Sequence, residues 1–263
     1  MLVKLMKHDL KSALKILSIF YGIGLLFAVL TRVFFAVENS ALLNIFGKIC
    51  SGVTISMIFN IIINNVLRMW GRFRENLYGD ESYLTHTLPV KRTMHYMAKA
   101  VTSLVTLLVS TVVIVLLLFV AYYSKENMEI LKAFLFPVAQ AYDFSVTGIV
   151  AVALAVVFLE ILNTLQCGFT GIILGHRMNS GKIGFTVLFG LVIYMATSIV
   201  VVAVLAVAGI FSPDIMNVIV TADALSVDTV KTVLWLAIGV YSALAVVFCF
   251  MNAKLLERGV NVD

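Results

Sequence analysis

Six apolar runs alternate with polar segments along this chain, at about residues 16–37, 43–67, 100–123, 146–174, 183–208 and 232–252. Each meets the requirement of roughly 20 apolar residues for a helix crossing an approximately 30 Å hydrocarbon core. The pattern predicts an all-α membrane protein with six transmembrane helices. Ahead of the first run, Lys4, Lys7, Lys11 and Lys15 recur every three or four residues and share one helical face. Leu2, Leu5 or Met6, and Leu10 fill the other. Residues 1–15 therefore read as an N-terminal amphipathic interfacial helix, and residues 16–263 as the six-helix domain.

Charge fixes the expected orientation. Four Lys lie before the first run, six Lys or Arg between the second and third, two between the fourth and fifth, and two after the sixth. These account for fourteen of the nineteen basic residues. Loops of this kind stay on the cytoplasmic side, so both termini are expected there. The opposite side keeps seven of the fourteen acids, including Glu38, Glu126, Glu129 and Asp214, against five basic residues.

Composition agrees. Of the 263 residues, 62% are hydrophobic and 13% charged, against nearer half and a quarter in soluble domains. The net charge of +5 follows from the flanks of the spans and does not indicate nucleic acid as a partner. Cys50, Cys167 and Cys249 sit in or beside apolar runs without ligand spacing, so neither a disulfide nor a metal is expected. The first run is too long for a signal peptide's apolar region and lacks its cleavage pattern.

Catalytic motifs are missing from the sequence. The nearest approach to a phosphate-binding loop, Gly175 to Ile183, has its glycines one residue too far apart and Ile183 where Ser or Thr must hold magnesium. The four histidines, His8, His86, His95 and His176, lie in cytoplasmic flanks without metal spacing. No cofactor is expected, and the loops are too short to hold a catalytic domain. The one acid well inside a span is Glu160, with Asn163 and Gln166 following at helical spacing. A mid-membrane charge costs roughly 2.5–3.5 kcal/mol on insertion scales, so Glu160 should face protein or water. The three residues fit either a translocation path or polar packing between helices. The segments 134–137 and 211–231 mix apolar and polar residues and fit short stretches dipping into the outer leaflet.

The long polar segment, residues 68–99, stands apart. Trp70, Phe73 and Tyr78 among Arg68, Arg72 and Arg74 suit a helix anchored at headgroup level. Gly79-Asp80-Glu81-Ser82 predicts a turn, Pro89 pushes Leu88 out of the α region, and Thr93 is placed to cap the next helix. The expected shape is a helix, a turn and a second helix start that project into the cytosol.

Residues 77–92, read as Leu-Tyr-Gly-Asp-Glu-Ser-Tyr-Leu-Thr-His-Thr-Leu-Pro-Val-Lys-Arg and followed by Lys99, resemble the cytoplasmic signature of bacterial ABC-2-type transporter permeases. There a Gly-Asp/Glu-Glu element precedes a Leu-Pro-Val/Leu-basic element. The resemblance implies a non-catalytic permease subunit of the bacterial plasma membrane. It would pair with a second, identical or different, permease subunit and bind two separate ATPase subunits. The coupling contact would involve Arg72, Arg74, Glu75, Gly79, Asp80, Glu81, Leu88, Pro89 and Arg92, with residues 1–15 as a connecting helix and 211–231 as an outer re-entrant region. The competing reading is an ion channel, or a proton-coupled secondary transporter built on Glu160.

Overall fold

Helix α1, Leu2–Phe35, runs through Lys15 and Ile16 without a break. No proline interrupts its hydrogen-bond ladder, so the basic segment and the first span form one rod of about 51 Å at 1.5 Å per residue. A boundary at residue 15 is therefore absent. In this computed structural model, residues 2–37, 40–87, 90–141, 145–211 and 227–257 are described. Helix α2 spans Ala41–Tyr78, α3 Ser82–Thr87, α4 Arg92–Tyr122 and α5 Lys125–Ala141. They are followed by α6, Val146–Gly175, α7, Lys182–Phe211, and α8, Val227–Glu257.

Six of these, α1, α2, α4, α6, α7 and α8, are long and apolar enough to cross a membrane. They coincide with the six runs read from the sequence, and they make the chain a multi-pass membrane protein. The outward sides of α2 and α7 carry large exposed apolar side chains, such as Phe59, Leu67, Val187 and Ile199. Lipid tails solvate such surfaces, whereas water would not.

The chain divides into two compact units: residues 1–75 with 88–130, and residues 76–87 with 131–263. In the first unit α1 packs along α4. Its centre is apolar, with Ala28, Ile61, Leu117 and Ala121 from α1, α2 and α4 buried together under Phe20, Ile58 and Val113. In the second unit α6 packs against α7 and α8.

Several ends have clear local causes. Ser145 caps α6 by accepting from the Gly148 N–H at 3.1 Å. Gly181, at φ 65°, supplies the left-handed residue just before α7, so the glycine pair 175–181 brackets a turn between two spans. Helix α4 begins one residue after Lys91, which makes no side-chain cap bond. Thr93 lies inside that first turn and does not cap it. The segment 134–137 belongs to α5, which continues past Pro137 to Ala141 with Phe134 and Phe136 exposed. Of the outer segment 211–231, residues 212–226 lie outside the described residues.

The α6–α7 contact depends on a missing side chain. A Cβ at Gly171 would stand 2.6 Å from the Gly190 nitrogen and 2.7 Å from the Thr186 carbonyl oxygen. These are backbone atoms and cannot swing aside. At Gly190 the same addition meets its nearest atoms at 3.9 Å and 4.0 Å, ordinary contact. Gly171→Ala should therefore destabilise the protein by about 1–3 kcal/mol through overpacking, read as a lower Tm in detergent. Gly190→Ala should leave Tm within error.

Candidate functional site: a buried charge cluster and the polar loop

Asp9 is the one acidic side chain that is buried among the described residues. It lies on the face of α1 that also buries Ala13 and Leu17, opposite the exposed Lys4, Lys7, Lys11 and Lys15. Its Oδ1 accepts from Arg72 Nη2 of α2 at 2.9 Å, and its Oδ2 pairs with Lys99 Nζ of α4 at 2.6 Å. Arg72 Nη1 donates to Ser12 Oγ at 2.6 Å. One carboxylate thus ties together three helices where each passes from its apolar run to its polar end. With side chains about 90% buried, such a pair is costly to break from one side, because the remaining charge stays desolvated.

Above the cluster the first unit carries a ladder of buried polar side chains. Asn65 Nδ2 donates to Ser110 Oγ at 2.7 Å, Thr106 Oγ1 to Asn65 Oδ1 at 3.3 Å, and Tyr21 hydroxyl meets Ser110 Oγ at 2.8 Å. Nearer the opposite end, Thr31 and Thr54 meet at 3.3 Å, and Ser51 and Tyr122 at 2.7 Å. The apolar cluster of Ala28, Ile61 and Leu117 draws on the same three helices.

The loop residues singled out from the sequence divide into two sets. Arg74, Glu75, Asp80, Glu81 and Arg92 are exposed. Arg72 turns inward and braces the cluster. Gly79 is partly exposed in the turn, and Ser82 N–H donates to its carbonyl at 2.9 Å. Leu88 and Pro89 lie outside the described residues. The helix anchored by Trp70 and Phe73 is not separate from the span: α2 continues to Tyr78, and Phe73 is buried edge-on against Tyr96 with centroids 6.4 Å apart. In the second unit, Tyr78 stacks on His176 at 4.3 Å, and Asn76 donates to Glu81. His176 is buried at the end of α6 and hydrogen-bonds the Ile172 carbonyl oxygen at 2.9 Å. It is not a surface histidine.

The intramembrane trio also divides. Each three-residue step around an α-helix falls about 60° short of a full turn, so Glu160, Asn163 and Gln166 fan apart. Glu160 is exposed, whereas Asn163 and Gln166 are buried. Asn163 Nδ2 donates to Thr197 Oγ1 of α7 at 3.2 Å. Asn252 of α8 donates to Gln166 Oε1 at 3.3 Å and accepts from Thr170 Oγ1 at 2.7 Å. Asn163 and Gln166 are therefore interhelical packing contacts of α6. One face of α8, with Thr232, Trp235, Gly239 and Ala243, lines an open, largely apolar cleft of about 610 Å³. Among the described residues no group of His, Cys, Asp and Glu has the proximity to hold a metal ion.

No protein-family model matches the chain, and neither a curated protein nor a solved structure matches it.

Asp9→Asn should destabilise the protein by about 3–5 kcal/mol, because it removes the carboxylate that the buried Arg72 and Lys99 share. The double variant Asp9→Leu with Arg72→Met should recover part of that loss. Thermal unfolding in one detergent measures both.

Proposed function

We propose that the chain is the permease subunit of an ABC-type exporter, driven by separate ATPase subunits and paired with a second permease subunit. The reading is supported chiefly by the polar element between the second and third spans. Helix α2 continues about 57 Å at 1.5 Å per residue, well beyond a hydrocarbon core of about 30 Å. It ends in the Gly79–Glu81 turn and the short helix α3, with Asp80, Glu81 and Tyr83 exposed. A short helix carried on the ends of long spans is a lever suited to a moving partner. The resemblance of residues 77–92 to the ABC-2 signature gives that partner its identity.

In this reading both termini lie in the cytosol of a bacterial cell. The Lys face of α1 lies against the inner leaflet as the connecting helix. ATP-driven closure of the partner presses on Arg74, Glu75, Asp80, Glu81, Leu88, Pro89 and Arg92. The Asp9 cluster carries the load to α1, α2 and α4, since Arg72 stands between the loop and the spans. Coupling then requires contacts that differ between the two nucleotide states.

A second reading, an ion channel or proton-coupled transporter, draws on Glu160, exposed at the middle of α6. That reading needs no ATPase. Asp80→Ala, Glu81→Ala and Pro89→Ala together should reduce ATP hydrolysis by the purified complex to the rate of the ATPase alone, while the permease still inserts. Stimulation that persists in the triple variant would overturn the coupling role. An untagged ATP-binding protein should also co-purify with the tagged permease from native membranes, and its absence would favour the second reading.

A further inference from the structure

The Asp9 cluster gathers cationic donors from two helices. Arg72 and Lys99 both reach the single buried carboxylate. Arg68 lies one turn before Arg72 on the same face of α2, so a second guanidinium stands beside the cluster's own. The Nε atoms of Arg68 and Arg72 are both buried, and among the described residues neither has a hydrogen-bond partner. The hydroxyl of Thr102, one turn above Lys99 on α4, is likewise buried without a partner there. Buried donors are nearly always satisfied, and an orphaned set points to a bound ion or water. Where the orphaned donors are guanidinium N–H groups, an anion is the ligand they favour.

Depth identifies the anion. Ser12 and Asp9 lie just before the apolar run of α1, Arg68 and Arg72 just after that of α2, and Lys99 just before that of α4. Three spans therefore bring the cluster to the level where phospholipid phosphates lie. Arginine's planar fork matches phosphate geometry and bonds it through paired N–H groups. We propose that Arg68, Arg72 and Lys99 bind an anionic phosphate group, supplied by the headgroup of a lipid seated against α2 and α4. The bound phosphate accepts from the orphaned arginine donors and fixes the base of the polar loop. This assignment depends on the membrane spans and stands apart from the ATPase reading.

The test uses the full-length protein in nanodiscs of phosphatidylcholine alone or with phosphatidylglycerol, with lipid retention after delipidation read by native mass spectrometry. The wild type should retain phosphatidylglycerol over phosphatidylcholine by about tenfold, the scale of one charge-assisted hydrogen bond. Arg68→Gln leaves the Asp9 pairs intact, so it should fold normally and lose most of that preference. Lys91→Gln removes an equal charge from the exposed residue just before α4, in the same loop, and should keep it. Equal loss in both variants would reduce the effect to general surface charge and overturn the site. Inorganic phosphate that stabilises the protein in pure phosphatidylcholine as strongly as phosphatidylglycerol does would overturn the lipid source. No preference in the wild type would overturn the proposal entirely.

Discussion

The Asp9 carboxylate is the tie on which the first unit depends. Arg72 and Lys99 are both buried against it, and each comes from a different long helix. In a membrane protein, van der Waals packing and interhelical hydrogen bonds must supply what the hydrophobic effect supplies in water. A charged contact at the polar edge of the bilayer therefore sets the register of α1, α2 and α4 more firmly than their apolar faces can. The Asn65–Ser110–Thr106–Tyr21 ladder extends the same logic along the helices.

The second unit solves the same problem with neutral groups. Asn163, Gln166, Thr170 and Asn252 pair across α6, α7 and α8, and Gly171 lets two backbones approach closely. Small residues and amide side chains are the usual adhesives between membrane helices. Here they need no compensating charge, because none of the groups is ionised. The contrast between the units is chemical: one is held by an ion pair near the polar boundary, the other by hydrogen bonds within the spans.

The number of the spans was legible because bilayer thickness imposes a run length that needs no tertiary information. Helix continuity was not legible. The basic stretch ahead of Ile16 and the aromatic-basic stretch after Leu67 both read as changes of environment, yet neither contains a residue that breaks a helix. The buried cluster is hard to see in the sequence because Asp9 sits among four lysines and reads as one more surface charge. One signal could have found it: Asp9 shares a face with Ala13 and Leu17, away from the lysines. Arg72 was assigned to the loop surface by its neighbours in sequence, whereas its helical phase turns it inward. Glu160, Asn163 and Gln166 were grouped by a three-residue spacing that drifts around the helix.

The functional account stands on the side of the membrane that the loop faces. A single cysteine replacing the exposed Tyr83 of α3, in a background without Cys50, Cys167 and Cys249, gives the most direct measurement. A membrane-impermeant maleimide should fail to label it in intact cells and should label it fully once the inner membrane is opened. Full labelling from outside intact cells would place α3 beyond the reach of any cytosolic ATPase and contradict the account.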